Sequence, residues 1–109
     1  MAREDPPAQL KLTEPQARLI GTVDEAMVNT LEQQLESPPD GVDPVVVELT
    51  TLGGGAELGH RAMLAVELAR KRLAPRRLVF LGKTAVYSAG VTLMSGFPRE
   101  DRYLTSDAV

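Results

Sequence analysis

Two short apolar runs, Val45-Val46-Val47-Glu48-Leu49-Thr50 and Leu78-Val79-Phe80-Leu81, constrain this chain more than any other feature. Both are β-branched or bulky and too short for helices, the pattern of strands buried on both faces. Between them Leu58, Ala62, Ala65, Val66, Ala69 and Leu73 recur at helical spacing. That stripe predicts a helix from about Glu57 to Leu73, closed by Pro75. A helix between two buried strands makes a right-handed crossover, and the strands it joins lie parallel.

The alternation extends in both directions. Leu19 and Ile20 before Gly21 predict a strand, and Thr22 with Glu25 has capping-box spacing for the helix that follows. Met27, Val28, Leu31 and Leu35 share one helical face, up to the stop at Ser37-Pro38-Pro39-Asp40-Gly41. After Leu81 a stop at Gly82 and a short loop lead to a third helix, from Ser88 to about Gly96, ended by Pro98. Arg102-Tyr103-Leu104-Thr105 then begins another strand. Residues 1–16, with Glu4, Asp5, Pro6, Pro7, Glu14 and Pro15, predict a flexible leader, and 17–109 form one domain. The fold class is α/β with a parallel sheet. Ligands of such folds gather at the carboxyl ends of the strands. Gly53-Gly54-Gly55 and Ser88 each follow a strand, so both are expected on one shared crevice.

Counts narrow the chemistry. The chain has 109 residues, enough for one core. With no cysteine there is no disulfide, thiolate nucleophile or zinc–thiolate site, and the single histidine, His60, excludes a multi-histidine metal site. Against 15 acidic residues stand 12 Lys and Arg, a net charge of −3 that argues against nucleic acid as partner. No apolar run approaches the ~18 residues of a membrane span, and the N-terminus has no signal core. The expected address is the cytoplasm, and no metal or cofactor is expected.

Several motifs nearly match. Gly53-Gly54-Gly55 precedes a helix, but a dinucleotide fingerprint needs glycine where Leu58 stands and an acid between Glu67 and Glu100. Gly82-Lys83-Thr84 resembles the end of a phosphate loop but has Arg77 in place of its first glycine, so a strand-end turn is expected. Arg70-Lys71-Arg72 with Arg76-Arg77 puts five cations into eight residues at a helix C-terminus. A solvated corner complementing the helix dipole is expected there, with an acidic partner as the alternative. Val86-Tyr87-Ser88-Ala89-Gly90 keeps the physical content of a nucleophile elbow: a serine between a buried strand and a helix start. Ser88 is read either as a helix N-cap or as a nucleophile, with the amides of Ala89 and Gly90 left free for a developing oxyanion. His60 is read as a surface residue or as the base.

Together, Leu19-Ile20-Gly21-Thr22-Val23-Asp24-Glu25, Thr50-Thr51-Leu52-Gly53-Gly54-Gly55 and Tyr87-Ser88-Ala89-Gly90 resemble segments of the proteolytic subunit of the Clp proteases, in the Clp protease/crotonase superfamily. The resemblance implies a spiral of strand–helix units around a parallel sheet, incomplete at the C-terminus. It implies Ser88 as nucleophile and the backbone amides of Gly55 and Ala89 as oxyanion hole. The substrate would be a peptide or unfolded protein, with a homo-oligomer and an ATPase unfoldase as possible partners. The family's histidine and aspartate would fall beyond Val109, so the triad is expected to be incomplete and the chain inactive alone. The alternatives are a catalytically dead interaction module of the same fold and a crotonase-like acyl-CoA enzyme. The last rests on Gly53-Gly54-Gly55-Ala56-Glu57-Leu58, which is similar to a hydratase segment. Against it, Glu57 is expected in the first helical turn, exposed to water.

Overall fold

The two buried runs become the central strands of a parallel sheet. The computed structural model describes Leu12 and residues 14–107. In chain order the elements are β1 (Ala17–Ile20), α1 (Glu25–Glu36), β2 (Val45–Thr51), α2 (Ala56–Leu73), β3 (Leu78–Val86) and α3 (Ala89–Met94). A 3-10 turn (Arg99–Asp101) then leads into β4 (Arg102–Leu104). The sheet order is β1-β2-β3-β4 with every pair parallel, as the crossover argument requires. The leader expected over 1–16 lies mostly outside the described residues. Its last residue already belongs to the sheet: Gln16 N–H donates to the Val46 carbonyl at 3.0 Å, and Gln16 Oε1 accepts from Val46 N–H at 2.7 Å.

The helices share one face of the sheet. Val45, Val47 and Leu49 of β2, with Leu78 and Phe80 of β3, pack in one cluster with Leu31 of α1 and Val66 of α2. Phe80 and Phe97 meet at 5.3 Å with rings tilted by 53°, a favourable edge geometry that contributes about 1 kcal/mol beyond burial. On the opposite face Glu48 is buried, and it is paired with Arg18 on β1 at 3.5 Å and Lys83 on β3 at 3.4 Å. A carboxylate at that depth is stable only because two cations from the neighbouring strands attend it.

Three local expectations change. The N-cap of α1 is Asp24, whose carboxylate accepts from Met27 N–H at 2.9 Å, and not Thr22. The third helix starts at Ala89 and ends at Met94, shorter than its sequence pattern predicts. Most consequentially, β3 does not stop at Gly82. A Cβ there would come within 2.6 Å of Leu104 and 2.8 Å of Val86, so this glycine marks a crowded point inside a strand. Beyond it Leu49 pairs with Gly82 and Thr51 with Val86, which sets Thr50 alone opposite Lys83, Thr84 and Ala85. The three residues form an arch in β3, a bulge larger than the usual two against one, and within it Thr84 takes a left-handed φ of 64°.

The basic segment at the end of α2 is solvated as expected, with Lys71, Arg72 and Arg77 exposed, and its arginines also bond to neighbouring elements. Arg72 donates to the Leu35 carbonyl at the end of α1 at 2.8 Å, and Arg76 to the carbonyls of Pro39 and Val42 at 3.0 and 3.2 Å. Arg70 reaches the Gly96 carbonyl at 3.4 Å, and Arg77 pairs with Asp101, which raises the guanidinium's pKa further. These side chains take up carbonyls that helix and loop ends would otherwise leave without partners. Among the described residues no helix is long and apolar enough to cross a membrane.

Candidate functional site

The carboxyl ends of β2 and β3 meet at Ser88. Val86 closes the pairing with Thr51, and Tyr87 N–H donates to the Thr51 carbonyl at 3.2 Å, so the chain enters the turn under tight control. Ser88 follows with φ 51° and ψ −114°, a conformation that costs a non-glycine residue about 1–3 kcal/mol. It stands at the N-cap position of α3, yet its side chain makes no capping bond, and it is exposed. The capping role is therefore not the one this hydroxyl performs. The turn is held from below by two close approaches. A Cβ on Gly90 would meet Thr51 Cγ2 at 2.5 Å, and one on Gly59 of α2 would meet the Ala89 carbonyl at 2.9 Å.

The glycine segment lies against the serine, as the crossover predicts. Gly53 has φ 124°, and a Cβ there would stand 3.2 Å from Ser88 Cβ and 3.7 Å from its Oγ. Only glycine serves at this point, for both conformation and space. The buried Thr51 fixes the turn, its Oγ1 accepting from Gly53 N–H at 3.0 Å and donating to the Gly53 carbonyl at 3.2 Å.

Pairing decides which amides are engaged. Val23 continues β1 and bridges Gly54 in parallel: Val23 N–H donates to the Gly53 carbonyl at 2.9 Å, and Gly55 N–H to the Val23 carbonyl at 3.1 Å. The Gly55 amide, expected to serve an oxyanion, is thus engaged on the β1 side. Gly54 N–H lies between these two bonds and takes no part in the bridge. Gly54 N–H makes no backbone hydrogen bond among the described residues, and neither does Ala89 N–H. Gly90, also expected to be free, donates to the Tyr87 carbonyl at 2.8 Å. The pair of available amides is therefore Gly54 and Ala89. The sequence gives no sign of this, because the pairing is fixed by the partner strand.

The remaining candidates lie apart from this arrangement. His60 is exposed on α2, and among the described residues no hydrogen bond links it or any other side chain to the Ser88 hydroxyl. Glu57 sits in the first turn of α2, exposed to water, as expected. Lys83 is a strand residue paired with Glu48 and forms no phosphate loop. Each strand also ends on, or is followed at once by, an exposed large hydrophobic side chain: Ile20, Leu52, Tyr87 and Leu104. The carboxyl edge is thus apolar as well as rich in backbone donors. Among the described residues no cluster of side chains could hold a metal ion.

No family model matches the sequence, and no curated protein matches it. Its structure is similar to that of ClpP1 from Listeria monocytogenes, with a TM-score of 0.69 at 20% sequence identity. The similarity covers 84% of this chain and 52% of that one. The N165D mutant of the same protein matches equally, with TM-score 0.69, 20% identity and the same coverage. The fold is ClpP-like, and the chain spans about half the length of the structures it matches.

Proposed function

We propose that this chain carries the nucleophile portion of a Clp-type serine peptidase. Ser88 Oγ would add to a peptide carbonyl carbon, and the Gly54 and Ala89 amides would receive the oxyanion. The C–N bond would then break as a base returns the serine's proton to the leaving amine. The observation that carries the reading is Ser88 itself: strained, exposed, uncapped, and pressed against Gly53. An exposed serine that keeps φ 51° and makes no capping bond carries the kind of backbone strain that clusters at functional sites. The apolar strand ends favour an extended peptide as substrate, and the ClpP-like fold favours self-assembly and delivery by an ATP-driven unfoldase.

A hydroxyl without a base and an orienting group loses several powers of ten in turnover, retaining what the oxyanion hole supplies. The chain as it stands is expected to hydrolyse peptides scarcely and to label weakly with serine-directed fluorophosphonates. A chain extended through a histidine and an aspartate should label at Ser88, and Ser88→Ala should abolish that labelling. Strong labelling of the 109-residue chain that disappears in His60→Ala would overturn this assignment of the base. The absence of any hydrogen bond to the Ser88 hydroxyl among the described residues favours a second reading, a catalytically inactive interaction module. An extended chain that folds but never labels would select it.

A further inference from the structure

The arch that delivers the chain to Ser88 is tied down by a small polar cluster outside the catalytic arrangement. Thr84 N–H donates to Thr105 Oγ1 at 3.1 Å, and the Thr105 hydroxyl donates in turn to Asp107 Oδ1 at 2.5 Å. Thr84 Oγ1 donates to Asp107 Oδ2 at 3.4 Å, so both carboxylate oxygens are engaged. Thr105 N–H donates to the Gly82 carbonyl at 2.9 Å, which fixes the segment after β4 at the base of the arch. Nothing about a peptidase nucleophile requires these contacts. What requires them is Thr84, a β-branched residue at φ 64°, which persists only where its surroundings over-determine it.

We infer that Asp107, acting through Thr105 and Thr84, is a positioning residue that holds the Lys83–Ala85 arch and thereby sets the backbone of Ser88 and Ala89. The carboxylate polarises the Thr105 hydroxyl and turns its lone pair toward Thr84 N–H. With that amide held, three residues of β3 stay opposite Thr50, and Val86 reaches Thr51 in register. Two residues later the chain is at Ser88. If the clasp opens, the arch is free to relax its left-handed residue, and the slack is passed to the turn. The catalytic meaning of this rests on the peptidase reading, whereas the mechanical coupling does not.

The clasp has a direction in pH. The Asp107 carboxyl is held below the ordinary aspartate range, chiefly by the Thr105 hydroxyl, and further by Thr84 and the positive charge of Lys83. The charged groups facing it are Lys83 on β3 and, behind Lys83, Glu48 on β2 with its second partner Arg18 on β1. A depressed carboxyl contributes its bonds above the unfolded-state pKa and loses them as pH falls through the folded-state value. The clasp is therefore closed at neutral pH and opens on acidification.

The test follows backbone amide resonances of the full chain by NMR through an acid titration. The amides of Thr84, Tyr87, Ser88 and Ala89 should shift together with one midpoint, below that of an ordinary aspartate. Asp107→Asn and Thr105→Val should abolish the shared midpoint, while Thr105→Ser, which keeps the hydroxyl, should preserve it. Dispersed spectra from the variants establish that they fold. Ser88 and Ala89 amides that do not move with Thr84, or a midpoint that survives Asp107→Asn, would overturn the inference. Intact coupling, together with an extended chain that folds but never labels at Ser88, would leave the clasp supported and remove only the peptidase reading.

Discussion

At the amino edge of the sheet, side chains do the bonding. Arg72 and Arg76 reach across to carbonyls of Leu35, Pro39 and Val42, and the Asp43 carboxylate accepts Arg77 N–H at 3.0 Å. At the carboxyl edge the pattern inverts. There the backbone takes positive φ at Gly53, Thr84 and Ser88, and the Gly54 and Ala89 amides make no backbone hydrogen bond among the described residues. One edge ties down its polar groups, and the other leaves those two amides without a partner beside the serine. The difference separates what keeps the fold together from what the fold presents, and substitutions at the two edges should differ in sign as well as in size.

The largest effect is expected where the carboxyl edge is itself structural. A Cβ on Gly54 would overlap the backbone of Val23, so Gly54→Ala cannot be absorbed by a rotamer change. It should cost about 3 kcal/mol, the upper range for overpacking, as read from urea unfolding midpoints. Gly55→Ala is the control. Its nearest neighbour is the Leu58 side chain at 3.3 Å, and its φ of −72° suits any residue, so the loss should stay under about 1 kcal/mol. Equal losses at the two positions would mean that the close approach of Gly54 to Val23 does not set this turn.

A smaller effect is expected at the amino edge. Arg76→Ala removes two charge-assisted bonds to loop carbonyls, one of them partly buried, and should cost about 1–2 kcal/mol. Arg76→Lys should recover part of this, because one nitrogen, Nη1, serves both carbonyls and an ammonium on its differently shaped stem can replace it only where it reaches them. Neither variant should move the Ser88 or Ala89 amide resonances. A shift there would mean that the two edges are not independent.

How far this division is legible in the sequence depends on the range of the interactions that make it. The strands β2 and β3 and the helix α2 are written in short-range periodicity, and their starts fall within a residue of expectation. Ser88 and the glycines are legible because punctuation residues mark turns. The extension of β3 past Gly82 is not, because a glycine that breaks a strand and one that lets Leu104 approach look alike in one dimension. The choice of Gly54 over Gly55 depends on Val23, far away in sequence. The arginines read as a charge run until the carbonyls of Leu35, Pro39, Val42 and Gly96 are seen beneath them. In each case local chemistry is read correctly and the long-range partner decides its use.

The smallest expected effect carries the opposite sign. Ser88 keeps φ 51°, and relieving that conformation should return part of the ~1–3 kcal/mol stored there. Ser88→Gly allows the turn without strain, but glycine also gains freedom in the unfolded chain, which offsets about 0.5–1 kcal/mol of the relief. The net expectation is a stabilisation of about 1 kcal/mol, read as a higher unfolding midpoint at unchanged slope. Ser88→Ala, which removes the hydroxyl and keeps the Cβ in place, should leave the midpoint where it was. The pair isolates strain from hydroxyl chemistry, since both variants lose the nucleophile and only one loses the strain. A site kept for function is expected to be less stable than its best replacement. If Ser88→Gly were destabilising, the turn would belong with the arginine-tied edge as a structural feature, and the strongest physical reason for assigning Ser88 a chemical role would be gone.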